Sequence, residues 1–169
     1  MATITPTLTV SLTGSRQNAA DLETANVTLL KIIATALTNG VGLNQVDLMW
    51  SDTRTLNAST SEDIDLAGAL TDAAFGATLT FARVKAIIIY SKLAANKRLS
   101  VGGAASNAFI NWVGDASDVI NVDPGGCFVL INPTATGYAV TADTGDILKI
   151  TNASGGASTY DIIILGASS

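Results

Sequence analysis

The sequence predicts an all-β protein: an antiparallel β-sandwich, jelly-roll-like, with about eight strands in one domain over residues 1–169. Three observations predict it. Turn-forming residues recur along the second half at Gly102-Gly103, Asp123-Pro124-Gly125-Gly126, Asn132-Pro133, Asp143-Thr144-Gly145 and 152–156, with short apolar runs between them. Such regular punctuation belongs to sandwiches and barrels. Several runs alternate apolar and polar residues, the period of a half-buried strand. The composition is 48% apolar but only 14% charged, too apolar for disorder and too weakly charged for a helical bundle with solvated faces. A chain of 169 residues buries a sizeable core without metal or disulfide help.

Residues 4–12 place Leu8, Val10 and Leu12 on one face and Thr7, Thr9 and Ser11 on the other, and Gly14 and Ser15 are expected to end this strand. Residues 1–15 then read as an N-terminal arm or exchanged strand. Residues 18–37 carry two patterns. Leu22, Ala25, Leu29, Ile33 and Ala36 fit a helical stripe, but Val27, Thr28, Ile32, Ile33 and Thr35 are β-branched, which favours an extended segment over about 27–37. Asn39-Gly40-Val41-Gly42 supplies a turn. A strand from Val46 puts Val46, Leu48 and Trp50 on one side, and its polar continuation Asp52-Thr53-Arg54 runs to a rim before Leu56.

Residues 62–66 read as a short edge strand, with Ile64 and Leu66 inward and Asp63 and Asp65 in water, where charge blocks edge-to-edge pairing. From Thr78 to Tyr90 one face carries Ala82, Val84, Ala86, Ile88 and Tyr90. The other carries Leu79, Phe81, Arg83, Lys85, Ile87 and Ile89. Arg83 and Lys85 call for water or carboxylates, whereas Ile87 and Ile89 call for cover by their own domain or by a partner subunit. Residues 160–165 are apolar on both faces and read as a central strand.

Composition excludes much chemistry. There is no histidine, so Ser/His/Asp and Cys/His nucleophilic systems and His-containing zinc sites are ruled out. No GxSxG, Walker A or GxGxxG pattern occurs. The net charge is −5 and the nine basic residues are scattered from Arg16 to Lys149, with no stripe to neutralise phosphates; a nucleic-acid partner is not expected. Cys127 lies in an apolar context and reads as a small packed hydrophobe. The first ten residues lack a basic region followed by an apolar core, so they do not read as a signal peptide. The uncharged stretch 124–142 is too broken by Pro and Gly to span a membrane.

Two carboxylate groups, Glu62/Asp63/Asp65 and Asp115/Asp118, are the one catalytic or calcium-binding option, against a reading as solvated loop and edge strand that lack the ligand pattern of a calcium loop. Trp50, Trp112, Tyr90, Tyr138 and Tyr160 could form a sugar-stacking platform, against core or interface anchors. The sequons at Asn26, Asn57 and Asn152 are expected to be chance matches. No catalytic residue, cofactor or metal is expected.

The order Trp50-Ser51-Asp52-Thr53-Arg54-Thr55-Leu56, then Ser61-Glu62-Asp63-Ile64-Asp65-Leu66-Ala67-Gly68, then Phe75-Gly76 and Phe81-Ala82-Arg83-Val84-Lys85-Ala86 resembles virion structural proteins of tailed bacteriophages. Gly102-Gly103-Ala104, Pro124-Gly125-Gly126 and 138–146 continue the resemblance, which covers roughly residues 40–165 and carries no catalytic signature. It is similar to capsid decoration, or cement, proteins. That implies a β-sandwich or jelly roll on the capsid surface of the virion, commonly a homotrimer, bound to the major capsid protein. Ile87, Ile89, Leu8 and Val10 are the candidate subunit or capsid contacts. A carbohydrate-binding head domain of a tail fibre or adhesin is the alternative, and a carboxylate-dependent glycosidase a distant third.

Overall fold

The computed structural model describes residues 3–19, 21–68, 70–92 and 98–169. Residues 1 and 2 of the expected arm, and Lys97 among the basic residues, lie outside them. Fifteen strands and no helix are seen among the described residues. In chain order these are β1 (Thr7–Ala19), β2 (Thr24–Ala36), β3 (Thr38–Asn39), β4 (Gln45–Val46), β5 (Leu48–Leu56), β6 (Thr60–Asp65), β7 (Leu70–Thr71) and β8 (Thr78–Leu79), followed by β9 (Arg83–Ser91), β10 (Leu99–Gly102), β11 (Val119–Val122), β12 (Cys127–Ile131), β13 (Tyr138–Ala139), β14 (Ile147–Asn152) and β15 (Ser158–Ala167). The expected count of about eight falls short of these fifteen, five of which, β3, β4, β7, β8 and β13, are only two residues long.

Two antiparallel sheets carry the body. One has the order β11-β10-β14-β6, the other β12-β9-β15-β5 with β13 also on β9. Both sheets send alternate residues into one apolar cluster: Ile64, Leu99, Val101, Leu148 and Ile150 from the first, Trp50, Ile87, Ile89, Tyr160, Ile162 and Ile164 from the second. Each such side chain, fully buried, contributes about 1.5–3 kcal/mol. β15 is central, flanked by β9 and β5, as its unbroken apolar run predicts. β6 is an edge strand with Ile64 and Leu66 buried and Asp63 exposed; Asp65 is half-buried and accepts a hydrogen bond from the Ala67 N–H at 2.9 Å.

Strand β9 departs from the expected two-face pattern. Leu165 pairs with Ala86 and Gly166 with Val84, so the register shifts and Lys85 has no partner on β15. This bulge inverts the alternation, and Val84 joins the cluster that holds Ile87 and Ile89. Lys85 does not reach water: it is fully buried, and its Nζ donates to the carbonyls of Gly42 (3.0 Å), Thr134 and Ala135 (3.3 Å). It ties two loops to the sheet through acceptors that carry no formal charge. Burial, with Arg83 nearby as the lesser cause, lowers its pKa.

Beyond their base the first two strands leave the body. β1 runs through Gly14 and Ser15 to Ala19, because β2 pairs with it residue for residue from Thr7↔Ala36 to Ala19↔Thr24. Gly14 faces Leu29 with open space around its α-carbon, so it costs the hairpin little. β-branching therefore prevails over the helical stripe in residues 24–36. The arm is this long hairpin, not residues 1–15 alone. Only its base is anchored: Leu8 and Leu37 pack with Val46, Ala86 and Leu165 in a second small cluster, on the side of the β12-β9-β15-β5 sheet facing away from the main core.

Candidate interaction surfaces

Residues directly opposite in an antiparallel pair share a face, so the register assigns both sides of the arm. One side carries Leu8, Val10, Leu12, Gly14 and Arg16 opposite Thr35, Ile33, Lys31, Leu29 and Val27. The other carries Thr9, Ser11, Thr13 and Ser15 opposite Ala34, Ile32, Leu30 and Thr28. The first side begins in the second cluster, where Leu8 is 8% and Leu37 2% exposed, and continues outward with Val10, Ile33, Leu12, Leu29 and Val27 at 45–60%. A two-stranded hairpin is marginal in water by itself, and this one leaves an apolar stripe bare.

The body also exposes apolar side chains. On the outer side of the β12-β9-β15-β5 sheet, Val129, Ile88 and Ile163 form one cross-strand row and Cys127, Tyr90 and Asp161 the next. Ile88 is half-buried, while Val129, Tyr90 and Ile163 are exposed. Cys127 is exposed too, contrary to its expected packing, because alternation along β12 sends Phe128 and Leu130 inward instead. Partial burial still pushes its thiol pKa up. The Asp161 carboxylate accepts from the Thr53 hydroxyl (2.5 Å) and Lys92 Nζ (2.9 Å), in that order of effect, and both hold it below the usual carboxylate range.

The candidate contact residues divide. Ile87 and Ile89 are 0% exposed and belong to the main cluster, so they are not contacts; their own domain supplies the cover. Leu8 is buried at the arm's base by its own chain, whereas Val10 is exposed. Sequence reasoning names only Leu8 and Val10 on the arm, because Leu29 and Ile33 fit both a helical stripe and an extended segment, and neither pattern shows which apolar residues are left uncovered.

The carboxylates organise structure. Glu62 shares a side of β6 with Ile64 and points to the gap between the sheets, where Arg54 Nη2 and Nε reach its Oε2 at 2.5 and 2.6 Å and the Tyr160 hydroxyl donates to Oε1. Asp115 accepts from the Ser117 N–H and hydroxyl, which hold its carboxyl below the usual range; Asp118 accepts from the N–H groups of Gly114 and Asp115. Among the described residues no group of three or more Cys, Asp or Glu side chains is placed to hold a metal.

The aromatics do not converge on a groove. Trp50 and Tyr160 are core residues, and half-buried Trp112 and Tyr138 pack against the same cluster, Trp112 tilted against Phe128 at 5.3 Å. Tyr90 stands alone on the outer face. Asn152 is buried with its amide donating to the carbonyls of Leu56, Asn57 and Gly156, so this sequon is no glycan acceptor.

No family model matches this chain, and a search of characterised proteins returns no significant match.

Proposed function

We propose that this chain is a structural protein of a tailed-phage virion, a decoration subunit that binds the major capsid protein on the capsid surface and reinforces the joints between capsomers. The carrying observation is the projecting hairpin, whose apolar side is left uncovered by its own chain. A cement subunit resists outward pressure by adding binding free energy across joints; for that it needs adhesive surfaces and no catalytic constellation. The resemblance across residues 40–165 supports the same reading.

Fold supports it at the level of architecture. We read the body as a β-sandwich of jelly-roll type. With the two-residue β13 set aside and the other eight strands of the two large sheets numbered in chain order, they run 1-8-3-6 in one sheet and 2-7-4-5 in the other, the order that two interlocked Greek keys produce. The scattered aromatics give the carbohydrate-binding alternative no platform.

The test is to mix the purified protein with undecorated phage shells and image them. Stoichiometric, symmetric occupancy is expected. Empty shells beside binding to a glycan array would overturn the reading.

A further inference from the structure

We propose that the β1–β2 arm of one copy lies, apolar side down, on the outer face of the β12-β9-β15-β5 sheet of a second copy. This deepens the self-association expected of a decoration subunit and rests on that part of the reading, but it requires no shell.

Area and continuity argue that the arm is covered. The exposed side chains from Val10 to Ile33 offer on the order of 600 Å² of surface, at the upper end of what monomers leave bare and near one partner's share of a stable interface. The stripe continues a side that is already buried at Leu8 and Leu37. The arm's own body cannot cover it, since every residue from Thr9 to Ala19 is exposed wherever described.

Charge selects the occupant. Both cations of the arm, Arg16 and Lys31, lie on its apolar side, and its two acids, Asp21 and Glu23, lie at the tip. Neither cation has an ion-pair partner among the described residues. Two arms packed apolar side to apolar side would bring these cations together, which is unfavourable. The rest of the chain carries the whole net charge of −5, because the arm itself sums to zero. On the receiving sheet Val129, Ile88, Ile163 and Tyr90 make an apolar centre; Asp161 beside it is already paired with Lys92 at 2.9 Å, so the charge that favours the arm's cations is the body's net −5 and not this one carboxylate. Thirteen paired residues reach about 40 Å, more than the ~15 Å across four strands. The arm therefore spans the sheet and leaves its tip beyond.

Cys127 sits on the receiving face and makes the placement testable. A tagged donor chain carrying Leu29→Cys and Cys127→Ser is mixed with the native chain under mild oxidation. Donor-to-native disulfides are expected, at least about tenfold faster than from a Thr28→Cys donor on the opposite side of the arm, because proximity sets the effective concentration. In parallel, Val10→Asp with Ile33→Asp is expected to reduce the solution mass from an oligomer to one chain without moving the unfolding midpoint of the body. Donor-to-donor disulfides alone, equal rates from both sides of the arm, or a native chain of monomeric mass would each overturn the proposal. An arm-linked oligomer that ignores shells would leave this inference standing and remove the proposed function; monomers that still occupy shells would do the reverse.

Discussion

Arg54 on β5 and Glu62 on β6 clamp the two sheets together at one open side, the guanidinium reaching one carboxylate oxygen through Nε at 2.6 Å and Nη2 at 2.5 Å. These strands are the outermost of their sheets and are joined by the short 57–59 turn. Glu62 also accepts from the Tyr160 hydroxyl, so one carboxylate satisfies both a cation and a buried phenol.

Glu62→Ala is therefore expected to destabilise the body by about 2–4 kcal/mol, since it strands a buried hydroxyl and leaves Arg54 with Asp52 alone. Glu62→Gln, which still accepts from Tyr160, is expected to lose less. Urea unfolding by tryptophan fluorescence measures both, and equal stability of all three proteins would disprove the clamp.

Alkaline titration tests the same site from the other partner. Burial, and secondarily the Glu62 carboxylate, push the Tyr160 pKa well up. A group whose folded pKa lies above its unfolded value stabilises fully below the unfolded value, about 10 for tyrosine, and loses that contribution as pH rises beyond it. Stability is expected to fall above about pH 10 in the native chain, with a shallower slope in Tyr160→Phe. Parallel slopes for the two proteins would exclude Tyr160 as the source.

Gly166 sits where β15 shifts register against β9, and a β-carbon there would lie 2.2 Å from the Arg83 carbonyl oxygen and 2.5 Å from Phe81 Cδ1. The first neighbour is backbone and cannot swing aside. Gly166→Ala is expected to cost about 1–3 kcal/mol, read as a lowered thermal midpoint. An unchanged midpoint would mean that the two strands separate there at no cost.

Ile87 and Val10 make the sharpest contrast between core and surface. Ile87→Ala empties a fully buried position and is expected to cost about 2–5 kcal/mol. Val10→Ala, on the free part of the arm, is expected to stay within about 0.5 kcal/mol for the unfolding of isolated chains. Differential scanning calorimetry at low protein concentration separates them.

Much of the strand inventory was legible. Alternation in residues 4–12, the doubly apolar run 160–165 and the charged edge at Asp63 each predict what the fold contains, because side-chain period and charge placement are local properties. The Glu62 clamp was not legible. Alternation does put Glu62 on the inward side with Ile64, but its partners Arg54 and Tyr160 are 8 and 98 residues away, and nothing local names what would satisfy a carboxylate there.

The sequence by itself determined that the chain is all-β, where most of its turns fall, and that it lacks histidine chemistry. Tertiary structure decided which apolar residues are core. The bulge at Lys85 inverted the inward side of β9 at Val84, and the cover over Ile87 and Ile89 came from the opposite sheet of the same chain. The equally apolar residues 27–33 found no such cover, because β2 pairs only with β1 and the hairpin projects from the body. Burial is a relation between distant segments; an apolar strand carries the demand for it but not the identity of what answers.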